Sequence, residues 1–134
     1  MYDHNNIFAK IIREEYKNGI DLIIANNVVA HVPNVNDFMR GIEKCLAENG
    51  IATLEFPHLY QLVRHNQFDT IYQEHYSYFS LKSIERVIKR ANLKIIEEYL
   101  DVTIIARGGS LQINGNKKNL ENCKECFTLL QIGK

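Results

Sequence analysis

Two hydrophobic periods take turns along the chain. Ile7, Phe8, Ile11, Ile12 and Tyr16 recur at helical spacing, and Gly19 offers a stop. GIDLIIAN follows as a compact apolar run, which predicts a strand buried on both faces and hence one from a parallel sheet. Asn34 or Asn36 is placed to cap a second helix whose stripe is Phe38, Ile42, Cys45 and Leu46. Asn49-Gly50 marks its exit, because glycine accepts the left-handed conformation there. GIATLEF predicts a second strand. Ser80 then caps a third helix with Leu81, Ile84, Val87, Ile88 and Ala91 facing inward. KIIEEYLDVTIIA and SLQIN read as two further strands, joined through Arg107-Gly108-Gly109 as a hairpin turn.

Helix, strand, helix, strand, irregular segment, helix and hairpin make an α/β order, with parallel strands and an antiparallel edge hairpin. Ligands of such sheets sit beyond the carboxyl ends of the strands. Asn26, Asn27 and His31 follow the first strand, and Pro57 and His58 follow the second. The ionisable groups are therefore expected on one rim. No glycine-rich phosphate loop precedes them.

Composition narrows the field. With 134 residues the chain has the length of one ordinary domain. Sixteen basic and sixteen acidic residues give zero formal charge, so general attraction to nucleic acid or anionic lipid has no support. LIIANNVVA, among the longest apolar tracts, is too short and too polar at its centre to span a bilayer. The opening MYDHNNIF lacks a charged leader before an apolar core, and the cysteine count is odd. Both point to a reducing, cytoplasmic setting without membrane contact. Cys123 and Cys126 form a lone CKEC, read as two thiols one turn apart on a terminal helix rather than half a zinc site.

The chemistry-bearing stretch is DTIYQEHYSY. In an extended segment Tyr72 and Glu74 share one face and Gln73 and His75 the other, whereas in a helical turn Tyr72 and His75 meet. Either geometry offers an acid–base histidine beside a phenol and a carboxylate. A carboxylate bonded to imidazole raises its basicity, and a phenol donates to a developing oxyanion. Such equipment removes a proton from carbon next to a carbonyl and holds the enolate. The plainer alternative is aromatic packing with solvated charges between. His31 is a second acid–base candidate on the rim, or a turn former; His58 reads more simply as a loop residue and His65 as solvated. His31, His58, His75 and Glu74 lack HxxxH or HxH spacing, so no metal is expected.

Taken together, DLIIANNVVAHVPNVNDF, GIATLEFPHL, QFDTIYQEHYSYFSL and GGSLQI resemble the sugar C-methyltransferases. These are class I S-adenosylmethionine-dependent enzymes that methylate a carbon of nucleotide-linked keto-deoxysugars. The resemblance covers nearly all of residues 7–113, with four blocks in order. It implies the second half of a Rossmann-like sheet, with residues 1–116 as a partial methyltransferase domain and 117–134 as the start of a helical carboxyl-terminal region. By resemblance, His75 is the base, Tyr72 and His31 stand near the ketone and enolate oxygen, and Glu74 is the acid of the same motif. Asn26 and Asn27 match the loop touching the cofactor's methionine end.

Gln73 departs from the histidine usual in the family. The zinc-binding module, the glycine-rich turn, the acidic ribose-binding residue and most of the carboxyl-terminal domain find no counterpart in this sequence. A fragment inactive alone is thus expected, docking on a separately encoded amino-terminal half or self-associating through an open sheet edge. The alternative is a non-catalytic half serving as an interaction module.

Overall fold

The computed structural model of the chain describes residues 4–107 and 110–132, and it divides into two compact units, Met1–Leu93 and Lys94–Lys134. Gly108 and Gly109, the expected hairpin turn, lie outside the described residues, as do the side chains of Ile7, Phe8 and Cys126.

The first unit opens with helix α1, His4–Glu15, which packs on a second helix, α2, Val35–Cys45. Its buried contact is Ala9, whereas Ile11 and Tyr16 of the expected stripe are about half exposed. Strand β1, Ile20–Asn26, pairs in parallel with β2, Leu46–Glu55. Asn34 caps α2, its side chain accepting the Asp37 N–H at 3.1 Å, so the first of the two asparagines takes that task. The second, Asn36, lies inside the helix with its side-chain oxygen buried and unpartnered.

Asn49-Gly50 does not end α2. The helix stops at Cys45, and Leu46 already pairs with Ile20 before the register shifts to Leu22 opposite Ile51. Gly50 belongs to this irregularity, where a Cβ would meet the Ile20 carbonyl oxygen at 2.6 Å. Gly19 makes the complementary approach at φ +86°, a Cβ there falling 2.5 Å from the Ala47 nitrogen. Close backbone contact, rather than helix exit, explains Gly50, whereas Gly19 combines such contact with a left-handed turn after α1.

Burial of the strands is one-sided, not two-sided as the apolar run predicts. Ile23, Ala52 and Leu54 pack on a core of Val29, Met39, Ile42, Phe79, Ile84 and Ala91. The alternate residues of β1 face the other way, and Ile24 is 51% exposed. The six-residue helix α3, Leu59–Arg64, interrupts the stretch expected to be irregular. Helix α4, Leu81–Arg90, then begins at Ser80 as expected, with a reciprocal pair of bonds between Ser80 and Ser83. Ile84 and Ala91 are buried, but Leu81, counted on the inward stripe, is 64% exposed at the helix entrance. Met39 and Val29 are fully enclosed, each contributing roughly 1.5–3 kcal/mol of transfer free energy.

In the second unit KIIEEYLDVTIIA is not one strand. Ile96–Leu100 forms a short helix, α5, closed by Asp101 in the left-handed conformation. Strand β3, Thr103–Arg107, pairs antiparallel with β4, Ser110–Asn114, and these two form a sheet of their own. Helix α6, Lys117–Ile132, shares their unit and buries Cys123 completely. Among the described residues no helix is long and apolar enough to cross a membrane.

Candidate active site

β1 brings the chain to the carboxyl rim, and a single 3-10 turn, Val29–His31, bends it away. Val29 and Ala30 are buried, which anchors the turn from beneath and leaves His31 half-buried above it. The Ala30 carbonyl accepts two donors from a distant stretch, the N–H of Tyr76 at 2.8 Å and of Ser77 at 3.3 Å. Those bonds fasten the YQEHYSY segment beside His31.

Of the two geometries open in the sequence, the turn is adopted. The His75 N–H donates to the Tyr72 carbonyl at 3.0 Å, and the two side chains meet. Tyr72 Oη lies 3.0 Å from His75 Nε2, with ring centroids 4.2 Å apart. His31 stands edge-on to His75 at 4.5 Å and lies 6.4 Å from Tyr72. The three rings expected to share a pocket are therefore in one cluster at the rim.

Tautomer follows from the backbone. His75 Nδ1 is 2.8 Å from the Thr70 carbonyl oxygen, which can only accept. Nδ1 carries the hydrogen, Nε2 carries the lone pair, and Tyr72 O–H donates to it. An imidazole so oriented has the tautomer that a general base requires, its lone pair met here by the Tyr72 hydroxyl. Tyr78 supports this arrangement, donating its hydroxyl to the same Thr70 carbonyl at 3.4 Å and setting its ring at 86° to His75. Sequence reading missed both partners. Tyr78 was visible in YSY, but a backbone carbonyl has no sequence signature.

Glu74 does not join the rings. It is exposed, and among the described residues it makes no hydrogen bond or ion pair, so the orienting oxygen beside His75 is that of Thr70. Asn26 and Asn27 are exposed at the carboxyl end of β1. Asn27 takes the left-handed conformation at φ 55° and extends the ladder by donating its N–H to the Glu55 carbonyl at 2.9 Å. Their side-chain amides offer donors and acceptors suited to a zwitterionic ligand end. His58 stands at the start of α3, with Nδ1 3.2 Å from the Tyr60 N–H and Nε2 3.2 Å from the Leu81 N–H. His65 meets only the Gln61 side chain, on an exposed turn. Among the described residues no three His, Cys, Asp or Glu side chains gather as metal ligands. Both described thiols, Cys45 and Cys123, are buried, and burial pushes their pKa values up, partly opposed at Cys45 by Arg13.

A parallel β-pair with an ionisable cluster beyond its carboxyl ends agrees with the chain's wider kinship. Residues 2–98 match the profile of a methyltransferase domain family, and the chain belongs to that family. Members generally use S-adenosylmethionine. The C-methyltransferase NovU of Streptomyces niveus is 34% identical over 92 residues. That alignment covers 69% of this chain and 21% of the relative, so the chain spans about a fifth of the curated protein it matches.

Proposed function

We propose that the chain is the substrate-side part of an S-adenosylmethionine-dependent C-methyltransferase acting on a carbon next to a ketone in a nucleotide-linked deoxysugar. The observation carrying this reading is the His31–Tyr72–His75 cluster, with an oriented Nε2 lone pair facing a phenol at 3.0 Å. In the resting arrangement Tyr72 occupies that lone pair. A ketone oxygen arriving beside Tyr72 draws its O–H away, which frees Nε2 to take the proton from the adjacent carbon. The electron pair then delocalises as an enolate whose oxygen Tyr72 and His31 stabilise. The imidazolium formed at His75 keeps its Nδ1–H on Thr70.

S-adenosylmethionine, when bound, supplies an electrophilic methyl group. Asn26 and Asn27 would hold its methionine end. The cluster is open, Tyr72 being 45% exposed, and exclusion of water requires further protein over it. The outer edge of β1, unpaired among the described residues, supports docking of a separately encoded amino-terminal half, or self-association.

The test is turnover of a keto-deoxysugar nucleotide, read by mass gain, with the chain alone and with an amino-terminal methyltransferase half supplied in trans. Negligible turnover alone and recovery in the pair are expected. His75→Ala should lower the recovered kcat by about 10²–10⁴-fold, the range of lost general-base catalysis. Unchanged turnover in that variant would falsify the assignment of the base.

A further inference from the structure

Between β2 and α4 the chain makes an excursion, residues 59–80, that carries Tyr72 and His75. We infer that His58 is a positioning residue for that pair, acting as a clasp at the neck of the excursion. The inference rests on the methyl-transfer reading for its purpose but not for its geometry.

Three contacts define the neck. His58 and Phe79 form an isolated parallel bridge, the Leu59 N–H donates to the Phe79 carbonyl at 2.9 Å, and the Leu81 N–H points at His58 Nε2 from 3.2 Å. The last of these spans 23 positions and joins the first residue of the excursion's approach to the first residue of α4. On its other side the same ring sets Nδ1 3.2 Å from the Tyr60 N–H at the start of α3.

A neutral imidazole has one lone-pair nitrogen and one N–H, so it cannot accept from both donors at once. With the lone pair on Nε2 the ring ties entry to exit, and its Nδ1–H faces the Tyr60 N–H at the exposed start of α3. With the lone pair on Nδ1 it serves α3 alone, and an N–H faces an N–H across the neck. Clasping is the role that the surroundings favour. Tyr60 and Leu81 are both exposed, but α3 is six residues long and closes a further bond to the ring residue through the Leu62 N–H on the His58 carbonyl. The neck has no other side-chain bond across it among the described residues. The Tyr76 and Ser77 bonds to Ala30 lie immediately before Phe79, so the clasp acts on the end of the segment that leads out of the Tyr72–His75 turn.

His58→Asn separates the two tasks. Asparagine is a good N-cap and can serve α3, but it is too short to reach Leu81. In the variant the Leu59 and Leu81 amides should exchange with solvent at least about tenfold faster, equal to 1.4 kcal/mol of lost protection. The His75 nitrogen signals should move from a fixed Nδ1–H tautomer toward a mixture. His65→Ala, at the far end of α3, should change neither. Identical exchange and an unchanged His75 tautomer in His58→Asn would overturn the proposal. Should that variant fail to fold, nitrogen NMR of the wild-type chain decides: a lone pair at His58 Nε2 supports the clasp, and one at Nδ1 refutes it. None of these readings uses cofactor or substrate, so they stand apart from any failure of the methyl-transfer reading.

Discussion

The sheet-and-helix body of the first unit and the excursion that crosses its rim are built on different principles. In the body, Met39 and Val29 have no exposure at all, and Ile42, Ile84 and Ala91 have almost none. In the excursion, Val63, Phe68, Ile71 and Tyr76 are each more than 60% exposed, and Leu62 and Phe79 are its buried apolar anchors. Apolar burial holds the first; a few hydrogen bonds to Ala30, Thr70 and the neck hold the second. Site geometry in such a molecule is separable from global stability, since net hydrogen bonds are each worth about 0.5–1.5 kcal/mol against several for a core side chain.

Truncating the body gives the largest expected effect. Met39→Ala removes a fully buried side chain from the centre of the core and should cost about 2–5 kcal/mol, read as a lower urea midpoint. Because the excursion stands on the body, both should lose amide protection at that lowered midpoint; an excursion that kept its bonds to Ala30 beyond it would break the division drawn above. Ser80→Ala comes next. It removes one half of the capping box at the point where the excursion rejoins α4, and about 1 kcal/mol should be lost. The His75 tautomer should survive it, because Leu81 is still held from His58.

Ile24→Lys has a smaller effect on the isolated chain. Ile24 is half exposed on the bare face of β1, so stability should change by no more than about 0.5 kcal/mol. If association through the open edge of β1 also covers this face, sedimentation should nonetheless shift from an associated species to monomer. Wild-type chain already sedimenting as monomer, and binding no amino-terminal half, would sink the association.

What the sequence disclosed follows the same division. Body elements were legible because burial writes a period into the residues: the α2 stripe and the α4 stripe read correctly from Phe38 to Ile42 and from Ile84 to Ala91. Their boundaries were less so. Asn49-Gly50 looks like a helix exit, yet it serves a close backbone approach to Ile20, a tertiary demand with no local signal. IEEYL is too short for periodicity to separate helix from strand. Two-sided burial of β1 failed because a continuous apolar run reports only what the strand can bury, not what covers it in this chain. In the excursion, Tyr72 and His75 were named from residue type, but their turn is decided by the Ala30 and Thr70 carbonyls, which any sequence would possess.

The smallest expected effect sits on the solvent side of the body. Lys89 donates to Glu85 at 2.7 Å one turn earlier on α4, and that bond, with the Coulomb attraction of Lys89 behind it, holds the carboxyl below its ordinary range. A depressed folded-state pKa means that the unfolded chain binds the proton more readily. The contribution is therefore present above the unfolded value, about 4.3, and is lost as pH falls through the folded one. Glu85→Gln should lower the melting temperature slightly at neutral pH, and the gap to wild type should close on acidification and in high salt, because the pair is exposed and screened. His75 resonances should be identical in the two proteins at each pH. A gap that widened on acidification would reverse the sign of the linkage, and a shifted His75 would mean that the surface of α4 and the excursion are coupled after all.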